Sequence, residues 1–325
     1  MKDFSGKIAV VTGGGTGMGR ALVRQLVAEG CHVATCDIIE ENLAETLKLA
    51  RADAAQGVRI TGWRCDVASE EDVIAFRDHV AEALETDHIN LLFNNAGIGG
   101  GGSFVEGDRE EWERTFNICW FGVYYTARAF REMLLASAGS PSGEGHIVNT
   151  SSVNGFRASL GGNIPHTAYS AAKFAVKGFS EALINDFRFN APHLKVSVVM
   201  PGHVGTEIGI NTGRILGHRE PKDWTAEDIA EARKFRAVVG GPGEDLAGLD
   251  DDAFRAAMQS RRERYREAPV SPAQAAEIIL QGVKDENWRI LVGEDAVALD
   301  EAVRESPLEA YDLDFSARVW ASIGR

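Results

Sequence analysis

Between positions 7 and 200 six short, nearly continuous apolar runs alternate with five longer amphipathic stretches, and that alternation limits what the chain can fold into. The runs at 7–12, 32–36, 58–65, 89–93, 146–150 and 195–200 have strand length and are for the most part continuously apolar. Between them, 17–29, 41–55, 66–84, 110–136 and 167–188 read as helices; the first carries Leu22, Val23, Leu26 and Val27, and Ser69 stands where it can cap the third. Strands apolar on both faces need cover on both, which predicts a parallel sheet with helices on either side. Right-handed crossovers then make the sheet doubly wound.

The rhythm lapses from 203 to 270, a charged segment with helical patterns at 227–238 and 251–267 and a break at Gly240-Gly241-Pro242-Gly243. A helix at 272–283 and a strand at 289–292 follow, which brings the sheet to about seven strands. The acidic, amphipathic stretch 295–325 offers Phe315 and Trp320 for packing. We therefore expect a single domain over 1–293, with 203–270 as a substrate-binding lid segment, and a tail over 294–325 packed on that domain or on an oligomer partner.

Acidic residues outnumber basic ones by 48 to 34, a formal charge of −14, which argues against nucleic acid or a polybasic membrane contact. Met1-Lys2-Asp3-Phe4-Ser5-Gly6 runs directly into the first strand without a signal-peptide pattern, and no apolar run is long enough to span a bilayer. Cys31, Cys36, Cys65 and Cys119 lack C-x-x-C or zinc-finger spacing, and the eight histidines include no H-E-x-x-H. The expectation is a cytoplasmic protein with buried reduced thiols and no metal.

Thr12-Gly13-Gly14-Gly15-Thr16-Gly17-Met18-Gly19 lies where the first strand turns into the first helix. Glycines there let backbone approach a pyrophosphate, and the helix N-terminus offers free N–H groups and the positive end of its dipole. Asp37 ends the second strand, 20 residues after Gly17. A carboxylate at that place accepts from ribose hydroxyls and repels a 2′-phosphate, and neither Thr16 nor Ile38 is basic, so NAD is expected over NADP. Tyr169 and Lys173, four apart on a helix, share one face. A tyrosine with an ordinary pKa near ~10 needs a drop of roughly 3 units, about 4 kcal/mol, to act as a base near neutrality. A neighbouring ammonium and a bound cationic nicotinamide can supply that. By itself the pair fits an exposed helix face equally well.

With Asn94-Asn95-Ala96-Gly97 after the fourth strand, the ordered set resembles the short-chain dehydrogenase/reductase family over roughly 5–205, and more loosely over 270–293. The resemblance implies a Rossmann-like fold and NAD-dependent interconversion of a secondary alcohol and a ketone. It implies that Tyr169 is the general acid/base, that Lys173 holds the nicotinamide ribose and depresses the tyrosine pKa, and that Ser152 bonds the reacting oxygen. Asn117 then supports a water-mediated relay to Lys173. Gly13, Thr16, Gly17, Met18 and Gly19 form the phosphate turn, Asp66 and Val67 contact adenine, and Asn94, Ala96 and Gly97 stand beside the cofactor. Pro201-Gly202-His203-Val204-Gly205-Thr206 resembles the turn in which backbone at Val204 and the Thr206 hydroxyl grip the carboxamide.

Ser152 and Tyr169 are 17 positions apart, more than the family usually has, which leaves Ser151 and Ser152 both open as the active serine. The extra length falls in 155–166, including Gly161-Gly162-Asn163; His166, just before Tyr169, is within reach of the pocket but reads more readily as a surface-loop histidine, and the glycines at 99–102 as an edge of the mouth. The competing reading is a non-catalytic NAD(H)-binding redox sensor or scaffold, against which the retention of Asn117, Ser152, Tyr169 and Lys173 argues. The lid's length suits a fairly large, partly apolar alcohol of steroid-like, terpenoid or aryl type. Family members pair through helices corresponding to 110–136 and 167–188, so a homodimer or homotetramer is expected.

Overall fold

A computed structural model describes every residue except 159–164, 240–245, 247 and 325, so the glycine break at Gly240-Gly241-Pro242-Gly243 and the Gly161-Gly162-Asn163 stretch lie outside the described residues. Strand β1 (Ile8–Thr12) is buried throughout because consecutive side chains point to opposite, equally covered faces. Ala9 and Val11 enter a core built with α1 (Gly17–Ala28) and α11 (Pro272–Lys284). Ile8 and Val10 enter the opposite core with Val73, Phe76 and Val80 of α3 (Glu70–Ala83) and Ala172 of α7 (Thr167–Asn190).

The other strands are β2 (His32–Asp37), β3 (Ile60–Arg64), β4 (Leu91–Asn94), β5 (Gly145–Thr150), β6 (Leu194–Pro201) and β7 (Arg289–Val292). They lie in the order β3-β2-β1-β4-β5-β6-β7, and every neighbouring pair is parallel. Ala9 stands opposite Val33 on one side and Leu91 on the other. The chain winds outward in one direction from β1 and in the other from β4, so a crevice opens at their carboxyl ends. All four cysteines are buried and none forms a disulfide.

Several boundaries shift by a few residues, and two elements differ in kind or extent. The third strand is shorter than 58–65: as the sheet's edge it pairs only with β2, from Ile60 opposite Val33 to Arg64 opposite Asp37. The stretch 110–136 is not one helix but α4 (Arg109–Phe116), a π turn (Asn117–Phe121), α5 (Gly122–Ala129) and α6 (Arg131–Ala136). The π turn bonds Gly122 N–H to the Asn117 carbonyl, five residues back, a widening invisible to a 3.6-residue period. Helix α2 (Glu40–Asp53) covers β2 and β3.

Beyond β6 the chain forms α8 (Ile208–Ile215), a 3₁₀ turn (Pro221–Asp223), α9 (Ala226–Val239) and α10 (Asp251–Arg264). These carry a small core of their own, Ile229, Phe254 and Met258 with Trp224 and Ala232 against it. The Arg233 guanidinium sits 4.3 Å over the Phe254 ring and donates to the Leu249 carbonyl at 2.8 Å. The C-terminal stretch forms α12 (Glu294–Glu305) and α13 (Phe315–Ser322), whose Ala296, Leu299, Phe315 and Val319 pack with Val153, Phe156 and Leu291. Buried Asp300 accepts from Arg289 of β7 at 2.9 Å and pairs with Arg304 at 3.0 Å.

Candidate active site

The crevice at the end of β1 is shaped by backbone that tolerates no extra carbon. Gly13 has φ +64°, and a Cβ there lies 2.7 Å from Ala96 Cα. A Cβ on Gly19 lies 2.1 Å from the Gly13 carbonyl oxygen. Thr16 stands at the N-cap of α1 without a side-chain capping bond, and no acidic residue occupies the first helical turn. The first N–H groups of α1 are therefore left to an anionic ligand at the positive end of the helix dipole.

Asp37 faces this turn. One carboxylate oxygen accepts from Gly15 N–H at 2.8 Å and the other from Ile39 N–H at 2.9 Å. Burial pushes its pKa up, against the pull of those N–H groups and of Arg20. Arg20 is itself engaged by the Gly15 carbonyl at 3.0 Å and the Thr46 hydroxyl at 2.9 Å. Across the cleft, Asp66 is held by Arg114 at 2.7 Å and by Ala68 N–H at 3.0 Å.

Gly13, Thr16, Gly17, Met18, Gly19, Asp37, Asp66, Val67, Ala96, Gly97 and Thr206 line this one cleft. Asn94, Pro201, Gly202 and Val204 stand behind it. Asn94 is buried and donates to Asn149 at 2.8 Å; Gly202 N–H bonds the Val292 carbonyl; Val204 is buried beside Val270. Sequence reasoning missed Arg114 and Asn211 on the wall. Asn211 donates to the Thr16 hydroxyl at 2.9 Å and so ties α8 to the glycine turn.

Tyr169 and Lys173 lie one turn apart on α7, as their spacing predicts, and the ammonium sits 5.4 Å from the centre of the phenol ring. Lys173 Nζ donates to the Thr150 carbonyl at the end of β5, at 2.8 Å. Gly97 is beside it, since a Cβ there lies 3.5 Å from Nζ, so the cluster adjoins the cleft. The two serines separate by geometry. Ser152 hydrogen-bonds the Tyr169 phenol and accepts from Asn154 N–H at 3.1 Å. Ser151 turns away and donates to the Lys173 carbonyl at 2.8 Å. Asn117 opens the π turn, half-buried, and that turn packs against α7.

Four findings differ from expectation or lie beyond it. Burial, then Cys119, pushes the Tyr169 phenol above its ordinary pKa, and only Ser152 opposes them. Burial also pulls the Lys173 ammonium down, so within the protein alone desolvation outweighs the expected lowering of the phenol by the lysine. His166 is no surface-loop histidine: it is the N-cap residue of α7, three before Tyr169, and its ring meets the tyrosine edge-on at 5.9 Å. Burial pulls its imidazole pKa down, which keeps it neutral near pH 7. Tyr265, just past α10, packs its ring against His203 at 4.5 Å between centroids, tilted by 45°, and contributes to holding the Tyr169 phenol up. Asp295, buried at the start of α12, accepts from His203 N–H at 2.7 Å and leaves no room for a Cβ on Gly202. The tail thereby fixes the turn after β6.

Among the described residues no group of three or more His, Cys, Asp or Glu could hold a metal ion, and no helix is long and apolar enough to cross a membrane. The sequence pattern of the family described as short chain dehydrogenase matches residues 7–214. The chain is 33% identical over 304 residues to the SadH protein of Mycobacterium tuberculosis, which spans 94% of this chain and 92% of that one. It is 31% identical over 233 residues to the 3-alpha-(or 20-beta)-hydroxysteroid dehydrogenase of Mycobacterium bovis, 72% of this chain and 77% of that one. Its fold is similar to the crystal structure of a short chain dehydrogenase/reductase from Burkholderia phymatum in complex with NAD, with a TM-score of 0.70, 26% identity, and coverage of 95% and 96%.

Proposed function

Since the chain belongs to the short chain dehydrogenase family, we propose that it is an NAD-dependent oxidoreductase that interconverts a secondary alcohol and a ketone, with Tyr169 as the proton-transferring group. The observation that carries this reading is the junction at Gly97, which lines the cofactor cleft and touches the ammonium of a Lys173–Tyr169–Ser152 cluster. The cleft fits the cofactor: uncapped N–H groups face a pyrophosphate, and Asp37 stands where ribose hydroxyls need an acceptor. NAD rather than NADP is supported by the Asp37 charge, by an Arg20 already engaged with protein oxygens, and by the NAD bound in the B. phymatum relative.

When bound, the nicotinamide takes or gives the hydride. The protein does the rest. Lys173 has spent one donor on Thr150, and its other N–H groups serve the ribose. Burial alone holds Tyr169 as the neutral phenol, and a cation brought alongside favours its ionised form; the phenolate accepts the alcohol's proton in one direction, and the phenol gives it to the ketone oxygen in the other. Ser152 fixes the reacting oxygen next to the phenol, and Asn117, on the π turn packed against α7, supports a water-mediated proton path to Lys173. Val204 and Thr206 hold the carboxamide in a turn braced by Asp295.

The substrate is a fairly large, partly apolar molecule beneath α8–α10, a reading supported by the hydroxysteroid dehydrogenase relative. Exposed aromatics on α5 and α7, Tyr124, Phe174 and Phe189, support pairing with a second copy, and four unpaired buried cysteines support a cytoplasmic setting. The test is NADH formation with a panel of secondary alcohols, offered NAD and NADP in parallel. Turnover with NAD supports the reading, and failure to bind either nucleotide refutes it.

A further inference from the structure

A second compartment of about 930 Å³ lies between α8, α9 and α10. Thr206 lines both it and the cofactor cleft, so the two spaces meet at the residue proposed to hold the carboxamide. Tyr265 lines it too, from the end that reaches Tyr169. Its size lies within the roughly 300–1,000 Å³ of small-molecule sites. Its apolar wall includes Ile210, Trp224, Phe235 and Met258. Phe235 is 51% exposed, an apolar surface that a ligand body would cover.

The charges in this compartment are unevenly answered. Arg219 is paired with Asp228 at 3.0 Å. His218 is paired with Glu111 at 3.2 Å, and the other Glu111 oxygen accepts from Gly101 N–H at 3.1 Å. Both oxygens of that carboxylate are therefore engaged. Arg236 and Arg261 also have partners. Arg262 differs. Half-buried, it lies across α8, with Nη2 only 3.0 Å from where a Gly213 Cβ would stand, and it donates to the Gly209 carbonyl at 3.4 Å. Among the described residues it has no ion pair, although the chain as a whole carries −14. Glu231 lines the same space and forms no ion pair with it. A guanidinium offers a planar fork of donors matched to carboxylate or phosphate, and a partly desolvated one gains most from such a partner.

We propose that the substrate is amphipathic: its apolar body lies along α8–α10 while a carboxylate or phosphate at its far end is received by Arg262. This rests on the dehydrogenase reading for the position of the reacting end, and not for the anion site itself.

Binding can be read without turnover, because Trp224 is in the wall. Octanoate, octyl phosphate, octanol and octyltrimethylammonium are titrated into the protein saturated with NADH while tryptophan emission is followed, with Trp224→Phe identifying the signal. The expected result is saturable binding of at least one of the two anions, about tenfold or more tighter than octanol, with the cation weaker still. The better of octanoate and octyl phosphate identifies the oxyanion. Arg262→Gln should bring the anion down to the level of octanol without changing octanol or NADH binding, Arg262→Lys should retain part of the gain, and Glu231→Gln should strengthen the anion. Equal binding of anion and alcohol, or an anion preference that survives in Arg262→Gln, overturns the proposal. Should Arg262→Gln fail to fold, a Glu231→Gln protein with unchanged anion affinity overturns it as well. Arg262-dependent anion binding with no alcohol turned over would remove the dehydrogenase reading and leave the anion site; turnover of neutral alcohols with no gain from an added carboxylate would do the reverse.

Discussion

Asp37→Asn separates two jobs that one carboxylate performs. In the protein, both oxygens are occupied by backbone donors, Gly15 N–H at 2.8 Å and Ile39 N–H at 2.9 Å. An amide can accept from only one of them and must turn its own NH₂ toward the other. One backbone donor in a part-buried turn then goes unanswered, which costs about 1–3 kcal/mol. The same change removes the charge that disfavours a 2′-phosphate. Two unit charges 4 Å apart near a protein surface repel by about 4 kcal/mol, falling toward about 1 kcal/mol in water. Even the lower figure is about a fivefold shift in relative affinity. Asp37→Asn should therefore lower the unfolding free energy in urea by about 1–3 kcal/mol and narrow the preference for NADH over NADPH, read by titration of nucleotide fluorescence, by about fivefold or more. A variant as stable as the parent would show that the carboxylate does not anchor the glycine turn. An unchanged preference would show that it does not choose the cofactor.

The two serines should differ in turnover. Ser152→Ala should cut it by about 10², and by freeing the buried Asn154 N–H also lower stability by about 1 kcal/mol; Ser151→Ala, which removes a buried bond to the Lys173 carbonyl, should lower stability by about 1 kcal/mol and leave turnover near that of the parent, and the reverse outcome in kinetics would make Ser151 the active serine. Asp295→Asn leaves the buried turn at Gly202-His203 with a weaker acceptor, so the KM for NAD should rise several-fold with a smaller change in kcat, and an unchanged KM would dissociate the tail from the cofactor. His146 is buried with Nε2 2.8 Å from the Ser197 hydroxyl, and burial lowers its pKa from 6.5 to about 3. The folded protein keeps it neutral while the unfolded chain takes up a proton below pH 6.5, so this contribution to stability is whole near pH 7 and is lost as pH falls toward 3. Between pH 7 and 5 the loss should reach about 2 kcal/mol, above the range where most carboxylates titrate. A urea midpoint that does not fall across this range, or a fall that persists undiminished in His146→Gln, would refute it.

Much of the sheet was legible because burial on both faces leaves so clear a mark: Ile8, Ala9, Val10 and Val11 can all be apolar only where helices cover both sides. Asp37 and the Tyr169–Lys173 pair could be read for a related reason, since a strand end and a helical turn fix distances along the chain. What could not be read depends on contacts between distant segments. Asp295 reaches His203 across 92 residues, and nothing in its neighbours marks it. Tyr265 belongs to the site only because α10 ends against His203. The π turn at Asn117 is set by one bond pattern, and periodicity ran straight through it. His166 was misplaced because the loop before it suggested solvent, while its place at the N-cap of α7 brings its ring to Tyr169. The phenol's pKa went the other way from expectation for a purely physical reason: sequence displays the lysine charge and hides the depth at which both groups are buried.

The central claim is that Tyr169 moves the proton while the cleft beside it holds NAD. The most direct measurement is turnover and NADH affinity of Tyr169→Phe, which removes one hydroxyl and leaves the ring against His166 and Lys173. Turnover should fall by about 10²–10⁴ with NADH bound as tightly as in the parent. Turnover within a few-fold of the parent would contradict the assignment outright.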